Sequence, residues 1–468
     1  MMGTENGMAA TRLIKAPCAM TIAGSDSGGG AGVEADLKTF AAVGVFGTCA
    51  ITAITAQNTQ GVYDIFPVPP EVVKRQIEVV LEDMEVETVK IGMLYSREVM
   101  EVVSEAVGRY GLKAVVDPVM RAGTGGSLIR ADVESLINLI ISKAFLVTPN
   151  RHEGERLSGV RIEDLEDMKE AALEISRLGP KAVLIKGGHL NGPMVQDLLY
   201  YDGAFKVFEK PRFDVKPHGG GCSLSAAIAG YLAWGEAVPV AVSKAEDLIQ
   251  DALRFGFKVG GGRVPVNPLA RLYREAEKVR VLQDVEEAAG MIEGCRELLP
   301  YIAEVGTQVA MATRYAYSRG HVAAVEGRIV KAGDAVKIVG PARFGASTHM
   351  ANLILKVMEY NPEVRAALNL HYDPRLVEAF REGGFTVSSF DRSLEPDEVK
   401  AVEGRSLVWG AEEAVKSAGK VPDVIYDLGE VGKEPMIRVL GTSATGAVKK
   451  VMAALNLIKR RQVDKREM

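Results

Sequence analysis

The chain of 468 residues is 47% hydrophobic and 25% charged, which is typical of a globular protein, and its formal net charge is -5. Its length is about three times that of a common domain, so we expect more than one domain, and large α/β domains would reduce the number to two. The negative charge argues against nucleic acid or an anionic membrane as a main partner, so any phosphate must be held by local positive groups.

The four cysteines, Cys18, Cys49, Cys222 and Cys295, stand singly and form no CxxC pair. This spacing argues against a zinc site and against a disulfide framework, so we expect a reducing cytoplasm. Residues 1–17 lack the apolar core of a signal peptide. The longest apolar stretch, 40–56, is interrupted by glycines, and we predict a buried strand there rather than a membrane span.

The first half of the chain alternates short apolar runs with helical segments. We predict strands at 19–23, 48–56, 89–91, 114–116, 144–148 and 182–185, and helices near 33–43, 72–81, 99–108 and 168–178. Apolar strands separated by helices indicate a mostly parallel sheet with helices on both faces. The predicted fold class is therefore α/β.

Polar residues lie close to the ends of several of these strands and helices. Asp117, Asn150 and Lys186 follow closely on predicted strands, and Asp36 and Gln57 lie near the ends of the first units. Parallel sheets bind their ligands beyond the carboxyl ends of the strands. We therefore expect these side chains to converge on one crevice.

A glycine run, Gly219, Gly220 and Gly221, precedes Cys222 and an alanine-rich segment that favours a helix. Glycines permit a tight turn with several amide N–H groups pointing the same way, and a helix N-terminus attracts anions. We predict that this segment, with Ser223 as the helix N-cap, closes the crevice and binds phosphate. Cys222 should ionise more easily in that positive field. The alternative is a plain glycine turn before a helix.

Glycine and proline cluster at 259–268, which is the best candidate for a domain boundary, and we place the domains at 1–265 and 280–468. A charged helical stretch occupies 271–299. The second half then shows another α/β pattern, with strands near 308–311, 322–325, 336–339, 365–370, 385–388, 424–426 and 438–440, and helices near 348–359, 374–382, 406–417 and 444–457.

Seven segments of the first half stand in a characteristic order, namely 22–32, 35–40, 54–59, 90–94, 117–120, 148–150 and 186–189. This ordered set resembles the hydroxymethylpyrimidine kinase / hydroxymethylpyrimidine-phosphate kinase family of thiamine biosynthesis, over roughly the first 260 residues. The resemblance implies a ribokinase-like three-layer αβα domain. It also implies that the pyrimidine is phosphorylated twice, with ATP as co-substrate and a magnesium ion.

The same resemblance assigns roles to residues of the crevice. Asp36, Gln57 and Met93 would line the pyrimidine pocket, with the Gln57 amide reading the ring. Glu153 and Asp117 would help to hold magnesium. Simpler interpretations exist for four of them: a helix charge, a strand cap, core packing and a solvated carboxylate, for Asp36, Gln57, Met93 and Glu153 respectively.

The resemblance also implies roles in phosphoryl transfer. Lys186 would meet the ATP phosphates, and the amides of the glycine run would stabilise the transferring phosphoryl group. Cys222 would accept the hydroxyl proton, in place of the Asp base of the wider superfamily. Two positions depart from the family pattern, since Gly220 stands where Thr is usual and His152 where Pro is usual. Neither change removes a group that the chemistry requires.

Six segments of the second half, 304–308, 323–329, 344–349, 389–392, 422–427 and 432–435, carry a second resemblance. They resemble the archaeal-type thiamine-phosphate synthase, which is often fused behind this kinase. The resemblance implies a second, smaller α/β domain. It implies that this domain joins hydroxymethylpyrimidine diphosphate to thiazole phosphate and releases pyrophosphate.

Cationic residues in the loops of the second half could hold the leaving diphosphate, because guanidinium groups suit phosphate oxygens. The candidates are Arg328, Arg343, His349, Arg392 and Lys433. The resemblance points first to Arg328 and His349 as catalytic. Ser347 begins a predicted helix, which adds a second anion-binding N-terminus. The alternatives are a surface salt bridge for an arginine and a satisfied core position for the histidine.

Two other functions are alternatives at this stage. The second domain also resembles effector-binding modules that sense thiamine phosphates without catalysis, and the first could be a pyridoxal or sugar kinase of the same fold. We favour the bifunctional enzyme, because nothing before residue 300 resembles a helix-turn-helix and because Arg328 and His349 are present. Its partners would be small-molecule substrates and further copies of the chain, most simply in a dimer, and neither nucleic acid nor a membrane.

Overall fold

The structure, a computed structural model, describes residues 14–120, 131–189, 192–402, 404–430 and 432–467. The chain divides into two compact units, Met1–Arg271 and Leu272–Met468. The predicted absence of a signal peptide concerns residues 1–17, of which 1–13 lie outside the described residues. Within the described ranges, no helix has the length and apolar character needed to cross a bilayer.

The first unit is built on one large sheet. Its strands are β1 (Cys18–Asp26), β2 (Phe46–Gln57), β3 (Val62–Pro67), β4 (Val86–Ile91), β5 (Lys113–Val116), β6 (Leu146–Val147), β7 (Ala182–Ile185), β8 (Met194–Tyr201) and β9 (Ala204–Pro211). They lie in the order β3-β2-β1-β4-β5-β6-β7-β8-β9. The six central strands, β2, β1, β4, β5, β6 and β7, are parallel. Antiparallel strands extend both edges, β3 beside β2 and the pair β8 and β9 beside β7.

This sheet confirms the predicted mostly parallel α/β fold. The edge strand β3 and the hairpin β8–β9 were not predicted. Both edges are largely solvent-exposed and mix polar with apolar residues, so they lack the all-apolar runs that identify a strand buried on both faces.

Helices cover both faces of this sheet. They are α1 (Gly32–Ala42), α2 (Pro70–Asp83), α3 (Arg97–Tyr110), α4 (Val133–Leu139), α5 (Arg151–Ser158), α6 (Leu165–Arg177), α7 (Gly220–Ala233) and α8 (Val238–Arg254). Strand β7 shows how the layers form, because Val183 packs into the core that contains Met168 of α6, whereas Leu184 packs into the core that contains Ile228 of α7. The first unit is thus a three-layer αβα domain.

Helix α7 begins inside the glycine run. A small parallel sheet of β10 (Pro217–His218) and β11 (Val264–Pro265) leads the chain into it. Gly219 is the N-cap, with φ 79°, a left-handed conformation that favours glycine. The prediction of Ser223 as the N-cap was wrong, because Ser223 is already in the helix and donates its backbone N–H to the Gly219 carbonyl at 2.9 Å. The glycines are therefore the first turn of the helix.

The second unit is smaller and has a mixed sheet. Its strands are β12 (Val309–Ala312), β13 (Val322–Val325), β14 (Ile329–Ala332), β15 (Ala335–Ile338), β16 (Ala342–Phe344), β17 (Ala366–His371), β18 (Val387–Ser389), β19 (Val424–Asp427) and β20 (Met436–Gly441). The main sheet has the order β16-β13-β12-β17-β20-β19-β18, and β14 and β15 form a separate hairpin. Within the main sheet β18 and β19 pair in parallel. The predicted strand at 336–339 therefore belongs to the hairpin.

The helices of the second unit are α9 (Ala270–Glu293), which begins two residues before the unit boundary, α10 (Thr348–Tyr360), α11 (Pro374–Glu382), α12 (Asp397–Lys400), α13 (Arg405–Ala418) and α14 (Ala444–Glu467). One core joins α9, α11 and α14 to one face of the sheet, and another joins α10 and α13 to the other face. The predicted second, smaller α/β domain is confirmed.

A buried ionic cluster lies at the carboxyl end of β19. The Asp427 carboxylate accepts hydrogen bonds from Arg392 Nε and Arg438 NH1, both at 2.6 Å, and from the Gly429 amide at 2.9 Å. Burial would raise the pKa of Asp427, but the two guanidinium groups outweigh burial and hold the pKa below its ordinary value. Removing one partner from such a cluster leaves unpaired charge in the interior.

We predict that Asp427→Asn destabilises the second unit by about 3–5 kcal/mol, because two buried guanidinium groups lose their counter-ion. In a domain of this size the loss lowers the melting temperature by roughly 10 °C. Thermal unfolding of the full chain, followed by calorimetry, measures it. The contribution is present at neutral pH and disappears only as the pH falls below about 4, through the depressed pKa of the folded state.

The matched control is Asp334→Asn, which removes an exposed partner of Arg296 at 3.4 Å. An exposed pair contributes at most about 1 kcal/mol, so the melting temperature should hardly change. Equal shifts for the two variants would show that the Asp427 cluster does not stabilise the second unit in this way.

Candidate functional site

A cavity of about 620 Å³ lies at the carboxyl ends of the parallel strands of the first unit. Among the residues that line it are the predicted site residues Gln57, Met93, Asp117, Glu153, Lys186, Gly219, Gly220, Gly221 and Cys222. They come from loops far apart in the sequence that the parallel sheet brings to one edge. The predicted crevice is therefore present, with one exception, Asp36, which lies beneath it.

The first turn of α7 supplies backbone N–H groups to the cavity. Gly220, Gly221 and Cys222 line the wall, and their N–H groups precede the first helical hydrogen bond, which Ser223 donates. Such N–H groups have no acceptor within their own helix and carry its positive dipole end. A Cβ on Gly219 would lie 1.7 Å from the Gly30 carbonyl oxygen, so only glycine allows this close approach.

A buried ion pair adjoins that helix end. Lys186 Nζ lies 2.8 Å from Asp117 Oδ1, and a Cβ on Gly221 would lie 3.2 Å from the same Nζ. Burial alone would lower the pKa of Lys186, but Asp117 outweighs burial and raises it. A permanently charged ammonium group therefore lies directly against the first turn of α7.

Glu153 also lines the cavity, at the start of α5. Its carboxylate accepts a hydrogen bond from the Asn150 amide at 2.9 Å, and the Asn150 side chain accepts one from the Glu153 amide at 3.1 Å, which is a capping box. Burial raises the pKa of Glu153 to about 7; Lys186 lowers it and Asp117 raises it. The positive charge of Lys186 therefore does not fully offset the burial of the Glu153 carboxylate.

The carboxyl groups that line the cavity show whether a magnesium ion fits there. Two carboxyl groups, Asp117 and Glu153, face one cavity, and among the described residues no cluster of three or more potential metal ligands is found. Magnesium in phosphate-transfer sites commonly binds through one or two carboxylates and takes its other ligands from phosphate and water. The donor set therefore fits a magnesium ion that arrives with a phosphate ligand.

Cys222 is half-buried and lines the cavity at the first turn of α7. Burial raises the pKa of its thiol to about 11; Lys90 and the Gly32 amide lower it, and the carboxylates of Asp36 and Asp117 raise it further. The prediction that Cys222 ionises more easily than a free thiol was wrong in direction. The helix end is positive, but desolvation and two nearby carboxylates outweigh it.

Asp36 does not line the pyrimidine pocket as predicted, because its side chain is fully buried beneath the cavity. It accepts hydrogen bonds from Lys90 Nζ at 2.8 Å and from Thr21 Oγ1 at 2.6 Å. Burial opposes the charge on Lys90, but Asp36 outweighs burial and keeps the pKa of Lys90 raised. Asp36 therefore holds Lys90, which does line the cavity, and Lys90 is one of the residues that the sequence analysis missed.

Gln57 lies in a hydrogen-bonded group that the sequence did not reveal. His218 Nε2 lies 2.8 Å from Asp26 Oδ2 and 3.3 Å from Gln57 Nε2, and all three residues line the cavity. The only available signals were an aspartate within the first glycine-rich segment and a histidine directly before the second. Neither residue type at those places identifies a partner without the fold.

Met93 packs at the inner wall near Gly24, where a Cβ would lie 3.0 Å from the Met93 sulfur. The residue is buried and its side chain belongs to a small apolar cluster with Ala53 and Tyr95. Met93 therefore combines core packing with an edge that lines the cavity.

Part of the cavity lining is apolar and was not predicted. It includes Val195, Phe213, Val215, Ile249 and Leu253. Lys210 also lines the cavity, 2.7 Å from Asp197 Oδ2 and paired with the buried Glu246. An apolar slot beside a basic residue can accept a flat ring with an attached anionic group.

In the second unit, Arg328 and His349 lie at opposite ends of β13. Arg328 follows the strand, has φ 73°, and donates a hydrogen bond to the Val305 carbonyl. Arg319 lies three residues before the strand begins, and its guanidinium is 3.5 Å from Thr348 Oγ1. His349 directly follows Thr348 and so lies near the start of the strand. Among the described contacts none joins Arg328 to His349. The structure therefore does not bring together the two residues that the sequence analysis names first for catalysis.

The other predicted cationic residues of the second unit already have acidic partners. Arg343 pairs with Glu326 at 3.2 Å in an exposed ion pair, and Arg392 is buried against Asp427. Lys433 lies 3.8 Å from Glu395, whose carboxylate is buried. For Arg392 the predicted role as a substrate ligand conflicts with the structure, since its guanidinium is buried against the Asp427 carboxylate.

Ser347 is placed as predicted, because it is the N-cap of α10 and its side chain accepts a hydrogen bond from the Met350 amide at 3.4 Å. Its hydroxyl therefore occupies one of the helix-end donors. His349 is exposed in the first turn of the same helix.

Two family models match the chain. Residues 26–267 match phosphomethylpyrimidine kinase. Residues 284–453 match the thiamine-phosphate synthase ThiN.

One curated relative matches almost the whole chain, and another matches its first half. The chain is 34% identical to the bifunctional thiamine biosynthesis protein ThiDN of Methanocaldococcus jannaschii, over 92% of this chain and 97% of that protein. It is 41% identical to the hydroxymethylpyrimidine/phosphomethylpyrimidine kinase of Bacillus subtilis, over 54% of this chain and 94% of that protein.

Among solved structures, the first unit is similar to the pyridoxal kinase of Staphylococcus aureus in complex with ADP, with 34% identity and a TM-score of 0.52, over 55% of this chain and 95% of that one. The same kinase in complex with pyridoxal gives 34% identity and a TM-score of 0.51, again over 55% and 95%. From the full-length similarity to ThiDN and the two family matches, we conclude that the chain belongs to the family of bifunctional thiamine biosynthesis enzymes that join a phosphomethylpyrimidine kinase to a thiamine-phosphate synthase.

Proposed function

We propose that the first unit uses the cavity below α7 to phosphorylate hydroxymethylpyrimidine and then its monophosphate. The observation that carries the proposal is the convergence of the α7 amides, Lys186, Cys222 and Gln57 on one cavity. Amides and an ammonium group can stabilise charge on a transferring phosphoryl group, and an amide side chain can read a heterocycle. Kinase chemistry needs these groups within reach of one another.

ATP would lie with its base against the apolar part of the cavity lining and its phosphates towards Lys186. The pyridoxal kinase whose structure holds ADP supports this assignment, since it shares the fold of the first unit. Asp117 and Glu153 would hold the magnesium ion, which supplies charge neutralisation at the phosphates when bound. The carboxyl groups face the same cavity as Lys186, so phosphate and ion would meet beside the first turn of α7.

Cys222 is the group we assign to the substrate hydroxyl. A thiol with a pKa of about 11 is largely protonated at neutral pH, but its thiolate is a stronger base than a carboxylate. Lys90, held by Asp36, supplies positive charge that stabilises the Cys222 thiolate, and this thiolate becomes a neutral thiol when it takes the hydroxyl proton. Asp36 thus acts through Lys90 rather than on the pyrimidine.

We propose that the second unit joins the resulting diphosphate to thiazole phosphate. Arg328 and His349 are the candidates for catalysis, and Arg343 and Lys433 are exposed enough to contact an anion, with Ser347 at the start of α10. Because Arg328 and His349 lie at opposite ends of β13, they would act on different parts of the two substrates. We further propose that the chain works in the cytoplasm as a homo-oligomer, most simply a dimer.

The proposal is tested by a one-pot assay of the full chain with hydroxymethylpyrimidine, thiazole phosphate, ATP and magnesium. We predict that Cys222→Ala lowers pyrimidine phosphorylation at least about 100-fold, the contribution of a lost general base, while coupling of supplied diphosphate continues. His349→Ala should stop coupling and leave phosphorylation unchanged. Chromatography of the thiamine phosphate and pyrimidine phosphates measures both steps.

Two results would contradict the proposed functions, one for each unit. Phosphorylation of pyridoxal in preference to the pyrimidine would replace the first assignment, in keeping with the similar structure that holds pyridoxal. Tight binding of thiamine phosphate by the second unit without any coupling would make that unit a sensor.

A second prediction concerns the approach of the two glycine-rich loops. Gly219→Ala should lower the kinase turnover at least about tenfold, because the new Cβ would meet the Gly30 carbonyl oxygen at 1.7 Å and φ 79° is strained for alanine. Steady-state kinetics with saturating substrates measure the effect.

Gly235→Ala is the matched control, since Gly235 follows the other end of α7 with φ 81° and a Cβ there would meet nothing within 4 Å. It carries the same backbone strain without the clash, so turnover should be retained. If both variants lost turnover equally, backbone strain rather than the loop contact would be responsible.

A further inference from the structure

The hydrogen-bonded group of Gln57, His218 and Asp26 also includes three backbone amides that donate to Asp26. Asp26 Oδ2 accepts hydrogen bonds from the Gly30 and Ala31 amides at 3.0 and 2.8 Å, as well as lying 2.8 Å from His218 Nε2. Asp26 Oδ1 accepts one from the Gly28 amide at 2.8 Å. A carboxylate surrounded by donors in this way is an acceptor only.

The charge state of Asp26 is consistent with that role. Burial would raise its pKa, but the hydrogen bonds from His218 and from the backbone amides outweigh burial and lower it. With Asp26 ionised, the proton of the shared hydrogen bond belongs to His218, so Nε2 carries it and donates.

The proton on His218 Nε2 determines which atom of the Gln57 amide, Oε1 or Nε2, can face it. With Gln57 Nε2 at 3.3 Å from His218 Nε2, two donors would oppose each other. Rotating the amide by half a turn places Oε1 beside His218 Nε2, where it accepts from the same N–H. The hydrogen-bond partners of a side-chain amide decide which of its two orientations is correct.

The second neighbour of Gln57 requires the same orientation. Thr55 Oγ1 lies 2.8 Å from the Ser25 carbonyl oxygen and 3.3 Å from Gln57 Oε1, the position that Nε2 takes when the amide is rotated. Because a carbonyl can only accept, the Thr55 hydroxyl proton goes to Ser25, and its oxygen is free to accept from Gln57 Nε2. Both neighbours therefore place Oε1 towards His218 and Nε2 towards Thr55.

We propose that the Asp26–His218 pair fixes the orientation of the Gln57 amide and thereby makes the pocket specific for the ring-nitrogen and amino edge of a 4-aminopyrimidine. Asp26 and His218 are positioning residues, since they act through Gln57. The inference rests on the proposed function of the first unit and adds the source of its selectivity.

The chemistry of the edge explains why orientation matters. Once held, the Gln57 amide keeps one free N–H and one free lone pair on Oε1 for a ligand. An aminopyrimidine offers the complementary ring nitrogen and amino group. A 4-oxo analogue offers a carbonyl and a ring N–H in the reverse order, which suits only a rotated amide, and a site that hydrogen-bonds one pattern rejects the other strongly.

The fit of His218 into the loop gives the pair its rigidity. A Cβ on Gly30 would lie 2.1 Å from the His218 ring carbon Cδ2, so the imidazole lies flat against the first glycine-rich loop. His218 immediately precedes Gly219, the N-cap of α7. The same residue therefore contacts the loop that carries Asp26 and begins the segment that carries the phosphate-binding amides.

The test compares kcat/KM for hydroxymethylpyrimidine and for its 4-oxo analogue, which keeps the hydroxymethyl group. The full chain is assayed as wild type, His218→Phe and Asp26→Asn. Phenylalanine keeps a ring against Gly30 but removes the N–H donor, and asparagine removes the charge that fixes the His218 proton. We expect the amino-over-oxo ratio to fall at least about tenfold in both variants, because the Gln57 amide can then turn.

Asp64→Asn is the matched control, an exposed carboxylate-to-amide change on β3 whose ratio should equal that of the wild type. Thermal unfolding of each variant checks that the fold is retained. If both substrates lose kcat/KM equally and the ratio is unchanged, His218 and Asp26 only support the loops and the inference is overturned. A wild type that phosphorylates neither pyrimidine would refute the proposed function itself, and the two failures are thus told apart.

Discussion

The first unit depends on the close backbone approach of two glycine-rich loops, at Gly30 and Gly219. No side chain fits between them, and the left-handed Gly219 directs the first turn of α7 into the cavity. The His218 ring, which would collide with any Cβ at Gly30, keeps the loops in register. Without this contact the amides of Gly220 to Cys222 would not line the same cavity as Lys186 and Gln57, so the proposed phosphate and heterocycle sites would separate.

The acidic net charge of the chain is compatible with anionic ligands because the positive groups are local. In the first unit each buried ammonium group at the cavity has its own carboxylate, as Lys186 has Asp117 and Lys90 has Asp36. Each pair fixes its cation in place and balances its charge, and the helix amides add a positive potential that no group within the helix balances. A polyphosphate with magnesium would therefore meet positive groups within the cavity, although the chain as a whole is acidic.

Sequence reasoning found the parallel sheet and most of the cavity, because all-apolar strands followed by polar residues place those residues at one sheet edge. It could not find contacts that depend on tertiary packing. Asp36 sits one helical turn inside α1, and only the fold shows that it faces Lys90 beneath the cavity. The Cys222 pKa was misjudged because the helix end is visible in the sequence, whereas the desolvation and the two carboxylates are not. Arg328 and His349 belong to separate motifs, and only the fold shows that they lie at opposite ends of β13.

The central claim is that the first turn of α7 holds the transferring phosphoryl group. Its most direct test is a crystal structure of the full chain with magnesium, ADP, the pyrimidine and a fluoride-based mimic of the transferring phosphoryl group. We expect the mimic within hydrogen-bond distance, about 2.7–3.1 Å, of the amides of Gly220, Gly221 and Cys222, with Lys186 beside it. A mimic bound elsewhere, with those amides facing only water, would show that the first turn of α7 does not hold the phosphoryl group.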